Sequence, residues 1–196
     1  MSHHKTRPSV AALMGISALA FAAFAMPPLP AEAADKTMRI AVPFGPKSSV
    51  PDPRARQNGW LSNRAGVSET LIGLGYDMTM QPRLAETFQN LSPTEWKLTL
   101  RKDVKFHDGS DMTAADVKAS FETFDIDGQP GHNPRLSKLL GIESITVEDD
   151  HTLVFKTKSP NSAFLWSLPA PSAAVLKDGT DDLTLIGTGP FVFVLA

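Results

Sequence analysis

Cysteine is absent from this chain of 196 residues. Its absence excludes disulfide bonds, thiol nucleophiles and metal sites built on thiolates, as well as a lipid-modified cysteine at an export cleavage site. An excess of positive charge is also lacking, because 19 Lys and Arg side chains are outnumbered by 21 Asp and Glu side chains. This composition gives no basic footprint that would favour binding to nucleic acid or to an anionic membrane surface.

A long apolar run is missing too: the segment 10–26 is shorter than the roughly 20 residues that a membrane-spanning helix needs. It follows Lys5 and Arg7, and it precedes three prolines and the small-x-small sequence at 31–33. This order predicts a secretory signal peptide over residues 1–33, cleaved after Ala33. Export would leave 17 basic and 20 acidic side chains, a net charge of −3. We therefore expect a protein that is free in the periplasm and is not a lipoprotein.

Catalytic motifs are also missing. His107, His132 and His151 do not have the spacing of a shared metal site, and no serine lies in a nucleophile-elbow pattern. The neighbouring His107 and Asp108 could be interpreted as a catalytic dyad, but the turn formed by Asp108 and Gly109 explains them more simply. We therefore expect no enzymatic activity, no cofactor and no metal site.

Hydrophobic periodicity predicts several elements in the first half of the chain. Residues 37–42 alternate between apolar and polar side chains, as expected for a strand with one buried face. Residues 58–71 place apolar side chains at helical spacing, so we predict a helix there. Trp96, Leu98 and Leu100 share one face of the clearest predicted strand.

The second half of the chain has equally local signals. Thr113 and Asp116 form an acidic variant of the capping box, and Phe121 lies on the apolar face of the helix that follows. Residues 142–147 and 153–158 alternate and predict a hairpin, and 161–168 predicts a short helix that ends before Pro169. A last strand is predicted within 186–193. Because the chain ends only three residues later, we expect the sequence to be the N-terminal part of a longer protein.

Aromatic residues outside the predicted strands are the sequence's main indication of a binding site. Trp60, Tyr76 and Trp166 are of this kind. Each is compatible with the wall of a ligand cleft and with ordinary packing.

Three segments together resemble one family. They are LAETF at 84–88, WKLTLRKDVKFHDG at 96–109 and TAADVKASF at 113–121. The resemblance continues through 142–157 and through GTGPF at 187–191, and it is to the family 5 extracytoplasmic solute-binding proteins. These proteins serve ABC importers of peptides, nickel and related chelates.

The resemblance implies a mixed α/β fold (α+β) of the periplasmic binding protein type, which closes on its ligand between two lobes. It assigns 34–50 and 166–196 to part of the first lobe and 51–165 to a small extra domain. The second lobe is expected to lie outside this sequence, since family members are more than twice as long.

In relatives, ligand contacts come from two segments of this half. One precedes the first helix of the extra domain, and the other is the return strand of the first lobe. The resemblance therefore implies six ligand-binding residues: Asn58, Trp60, Arg64, Trp166, Pro169 and Ala170. Among them, Arg64 could pair with a ligand carboxylate through its planar guanidinium.

The resemblance to the family does not by itself determine which ligand is bound. Nickel-chelate binders tend to carry an arginine in the return strand, whereas this chain has Ala170 and Ala173 there. We therefore expect a monomeric protein that captures peptides and delivers them to the permease subunits of an ABC importer. A nickel or metallophore binder of the same family, and a nonfunctional truncated remnant, are the alternatives.

Overall fold

The computed structural model describes residues 63–125, 132–179 and 185–192. The strand predicted at 37–42 lies outside them, and so does the first part of the helix predicted at 58–71. Among the described residues, no helix is both long and apolar enough to cross a membrane.

A four-stranded antiparallel sheet is the centre of the structure. Its strands are β4 (Ala85–Ser92), β5 (Glu95–Leu100), β6 (Ile142–Asp149) and β7 (Thr152–Thr157), in the spatial order β4-β5-β7-β6. The β4–β5 and β6–β7 pairs are hairpins, and the central β5–β7 pairing places Leu98 opposite Leu153. The strand predicted around Trp96 and the hairpin predicted at 142–158 are both confirmed.

The buried face of this sheet carries the apolar core. Trp96, Leu98 and Leu100 are buried while the residues between them are partly exposed, as the alternation predicts. Aromatic contacts centre on Phe155, whose ring centroid lies 5.2 Å from that of Phe121 and 5.3 Å from that of Phe164. These edge and tilted contacts add to the free energy gained from burial.

Helix α1 (Ala114–Glu122) covers this core. The Asp116 carboxylate accepts hydrogen bonds from the Thr113 backbone N–H at 2.9 Å and from the Thr113 hydroxyl at 2.6 Å. Val117 and Phe121 are buried on the helix face toward the sheet. The predicted capping box and apolar face are therefore confirmed.

Helix α2 (Pro134–Leu140) has no counterpart among the predicted elements. Its N-terminus is capped by the Asn133 side chain, which accepts from the Leu136 N–H at 3.1 Å. It ends at Gly141, whose φ of 59° is the left-handed conformation that glycine adopts without strain. Helix α3 (Phe164–Ser167) lies within the short helix predicted at 161–168 and confirms it.

Two further strand pairs correct the sequence predictions. β1 (Glu69–Thr70) pairs with β8 (Ala174–Val175), and β2 (Ile72–Leu74) pairs with β3 (Met80–Pro82). The helix predicted over 58–71 is therefore wrong in its last part, where distant strand pairing overrides the local apolar spacing. The strand predicted at 186–193 is wrong as well, because the described residues 185–192 form a loop.

Candidate functional site

A loop of residues 185–192 is held in place by His107, which follows β5 in a turn. The His107 imidazole accepts the Gly187 N–H on Nδ1 at 3.2 Å, and its Nε2 lies 2.9 Å from the Gly189 carbonyl oxygen. The His107 backbone N–H donates to the Gly187 carbonyl at 3.0 Å. These contacts make His107 a structural residue, in agreement with its interpretation as part of a turn.

The same loop lies directly against residues 66–69. The Gly189 N–H donates to the Val67 carbonyl at 3.2 Å, and the Thr188 hydroxyl donates to Glu69 at 3.0 Å. A Cβ atom on Gly189 would overlap the Gly66 carbonyl. Only glycine permits this approach of two backbones.

Two grooves are present on this part of the surface, one beside helix α2 and one beside the loop 185–192. The first, which we name the α2 groove, has a volume of about 580 Å³ and lies between α2 and the 3-10 turn Pro171–Ala173. Its lining combines apolar residues with polar and charged ones in similar measure. Its lining residues are Asn133, Pro134, Arg135, Leu136, Leu139, Ala170 and Ser172.

The second groove, which we name the loop groove, has a volume of about 400 Å³ and a more polar lining. Residues 63–73 form one wall, and Pro169 and Pro190 belong to others. Glu69 and Arg83 supply charges of opposite sign there. This groove is therefore bordered by the loop that His107 holds.

The predicted ligand-binding residues are distributed between these places. Ala170 lines the α2 groove and Pro169 lines the loop groove. Trp166 on α3 is 53% exposed and lines neither groove, and Arg64 is exposed at the start of the described chain. Asn58 and Trp60 lie outside the described residues. The structure thus brings two of the six predicted residues to groove walls.

Sequence reasoning missed Arg135 and Ser172, which line the α2 groove. The pattern Asn133-Pro134 is a signal for a helix start, with an amide cap and a proline in the first turn, and could have located α2. No local signal connects α2 with residue 172. Their proximity is a product of the tertiary fold.

Electrostatics around the His107 turn are dominated by one ion pair. The Lys177 ammonium, with the hydroxyl and N–H of Ser110, holds the pKa of the Asp108 carboxyl well below its usual range. This carboxylate is charged and engaged, so it is not available as a proton acceptor for His107. Among the described residues, no group of three or more His, Asp or Glu side chains could hold a metal ion.

Comparison with protein families identifies the chain. Residues 79–195 match the model described as bacterial extracellular solute-binding proteins, family 5 Middle. This range is more than half of the chain, and the chain belongs to that family of solute-binding transport proteins. The resemblance found in the sequence is confirmed.

Two relatives illustrate the family. The glutathione-binding protein GsiB of Salmonella typhimurium is 32% identical over 162 residues, which cover 78% of this chain and 31% of the relative. The probable D,D-dipeptide-binding periplasmic protein DdpA of Escherichia coli K12 is 36% identical over 110 residues, or 50% of this chain and 20% of the relative. The chain therefore spans about a third or less of the length of these relatives.

The solved structures agree with the predicted fold class. A nickel ABC transporter protein from Bacillus halodurans superposes with a TM-score of 0.66 at 31% identity, covering 73% of this chain and 29% of that one. The mixed α/β fold of the periplasmic binding protein type is therefore confirmed. The coverage is consistent with a partial domain.

Proposed function

We propose that this chain is the part of a periplasmic solute-binding protein that contributes one side of the binding site, and that the protein captures small peptides for an ABC importer. The observation that carries the proposal is the α2 groove, which presents apolar and polar side chains together and includes Ala170, one of the predicted ligand contacts. The named ligands of GsiB and DdpA, glutathione and a dipeptide, are of the same class.

The predicted site and domain division belong to this proposal. Asn58, Trp60, Arg64, Trp166 and Pro169 would contact the solute around Ala170. Residues 34–50 and 166–196 would belong to the first lobe, and 51–165 would form the extra domain. The sheet β4–β7 with α1 and α2 falls within 51–165, and the β1–β8 pairing connects this range with 166–196.

Localisation and partners follow from the same class of protein. A signal peptide over 1–33 would deliver the chain to the periplasm without a lipid anchor. There it would act as a monomer without enzymatic activity, and it would pass its solute to permease subunits in the inner membrane.

A nickel chelate is the second candidate solute, favoured by the similarity to the Bacillus halodurans nickel transporter protein. The described residues offer no cluster of metal ligands, so nickel would have to arrive with its own chelator. Ala170 also lacks the positive charge that would hold an anionic chelate at that position.

Thermal unfolding of the full chain tests the proposal. We would compare dialanine, glutathione and nickel bis-histidine, with free alanine as the control for a nonspecific solute effect. A solute at about 100 times its Kd should raise Tm by about 5 °C or more. A rise with the peptides alone supports peptide capture, and a rise with the nickel complex alone selects the second candidate. A cooperative transition indifferent to all three would contradict solute binding by this chain, and no cooperative transition would favour the nonfunctional remnant.

A further inference from the structure

The α2 groove presents a positive charge, that of Arg135. Among the described residues that line the groove, Arg135 is the single charged one and none is acidic. Within the described part of the chain, the Arg135 side chain has no ion pair and no hydrogen bond. Its guanidinium is therefore free to bind an anion from solution.

The position of Arg135 is set by the helix that carries it. Leu136 and Leu140 are buried against the core, which fixes the orientation of α2. Leu139 follows Arg135 by four residues and so lies on the same helix face, where it is 52% exposed. A cation and an exposed apolar side chain are thus presented side by side along the groove.

The opposite wall supplies a second polar group. Ser172 lies in the turn Pro171–Ala173, and its hydroxyl makes no hydrogen bond among the described residues. A hydroxyl can donate to a carboxylate that a guanidinium also binds. The groove therefore offers donors from two walls together with the apolar side chains of Leu136, Leu139 and Ala170.

We propose that Arg135 and Ser172 bind a carboxylate group of the solute, while an apolar part of the same solute packs on Leu139 and Ala170. This inference rests on the proposed function and adds its substrate class: small solutes with a free carboxylate. Such solutes include peptides with an unblocked C-terminus and exclude their neutral amides.

The loop groove is a weaker candidate for this role. Its cation, Arg83, shares the groove with the Glu69 carboxylate, which offsets its attraction for an anion. The described residues that line the α2 groove include no such acid, and they present more apolar surface than those of the loop groove. Arg135 is therefore the residue that the structure selects.

The experiment compares dialanine with alanylalaninamide by calorimetric titration of the full chain; the two differ only at the C-terminus, a carboxylate in one and a neutral amide in the other. The wild type should bind the carboxylate form about 10-fold more tightly than the amide, the size expected for one charge-assisted hydrogen bond. Arg135→Ala should remove most of this difference, and Arg135→Lys should restore part of it because the charge returns without the planar fork. Ser172→Ala should reduce the preference by a smaller factor.

Lys138→Ala is the matched control, since it removes one cation from an exposed position of the same helix outside the groove lining. It should keep the preference for the carboxylate form, and each variant's Tm should stay near that of the wild type. The role of Arg135 would be overturned if Arg135→Ala kept the full preference for the carboxylate form, or if the wild type bound both peptides equally. Either result would leave peptide capture intact. Failure of the wild type to bind either peptide would overturn both proposals.

Discussion

His107 and Gly187 are joined by two hydrogen bonds of opposite direction: Gly187 N–H to His107 Nδ1 at 3.2 Å, and His107 N–H to the Gly187 carbonyl at 3.0 Å. Because Nδ1 accepts a hydrogen bond, the ring proton is on Nε2, which donates to the Gly189 carbonyl at 2.9 Å. One neutral side chain thus binds two backbone groups of the loop 185–192. This loop in turn borders the loop groove through Pro190.

His107→Ala should lower the free energy of unfolding by about 2 kcal/mol, because two hydrogen bonds are lost and the buried Gly187 N–H is left without its acceptor. Urea denaturation followed by tryptophan fluorescence measures the change. His151→Ala is the control, since the His151 ring makes no hydrogen bond among the described residues, and it should change stability by less than about 0.5 kcal/mol. Equal losses in the two variants would show that the His107 ring has no special structural role.

Ser120→Ala should cost about 2 kcal/mol of stability. The buried Ser120 hydroxyl donates to the Leu176 carbonyl at 2.9 Å and accepts the Leu176 N–H at 3.0 Å, so its removal leaves two buried backbone groups unpaired. Thermal denaturation of the variant beside Ser162→Ala measures the effect. Ser162 is exposed, and its replacement should leave Tm unchanged. If Ser120→Ala is as stable as the control, the two hydrogen bonds between Ser120 and Leu176 do not contribute to stability.

Gly189→Ala should destabilise the protein by about 3 kcal/mol or more, since the new methyl group would overlap the Gly66 carbonyl and force two backbone segments apart. Gly179→Ala is the comparison variant. Its φ of 73° is unfavourable for alanine, but no atom of the described residues lies within 4 Å of the new Cβ. It should therefore cost only about 1 kcal/mol. Chemical denaturation that ranks the two variants in the reverse order would refute the close approach.

Asp108→Asn should be less stable than the wild type at pH 6, and the difference should shrink as the pH falls below about 4. The reason is the lowered pKa of Asp108 in the folded protein, caused first by the hydrogen bond from Lys177 and then by those from Ser110. Such a carboxyl contributes stability above its unfolded pKa and loses that contribution as the pH falls toward its folded pKa. Asparagine keeps an acceptor oxygen for Ser110 while removing the charge.

Unfolding curves of both proteins at pH 6, 4, 3 and 2 measure this difference. The other carboxyl groups titrate in both proteins, so their effects cancel in the comparison. Lys177→Met provides the matched partner variant, and in its background Asp108→Asn should show a smaller pH dependence. A stability difference that stays constant down to pH 2 would exclude an ionic contribution from Asp108.

The elements that sequence analysis identified correctly depend on local patterns. Trp96, Leu98 and Leu100 alternate because successive side chains of a strand point to opposite faces, and this holds whatever the strand pairs with. The capping box of Thr113 and Asp116 also acts within a single turn of helix. Family membership could also be predicted from the sequence, because the resemblance lies in these same core and turn residues.

The incorrect predictions concern segments whose structure depends on distant residues. Residues 69–70 form a strand because they pair with Ala174–Val175, more than a hundred positions later in the chain. A strand is predicted around Gly187 and Gly189, yet the backbone there lies against Gly66 and Val67 and hydrogen-bonds to the His107 ring. Neither contact has a signature in the local sequence.

The sequence by itself therefore determined the strand β5, the β6–β7 hairpin, the capped helix α1 and the solute-binding family, because each rests on periodicity or on short-range hydrogen bonds. Only the tertiary structure decided which residues line a groove. It brought Arg135 of α2 beside Ser172 and Ala170, and it assigned Pro169 to a different groove from its neighbour Ala170. The physical reason is that a groove is formed by surfaces of separate elements, whose relative positions are set by packing of the whole core.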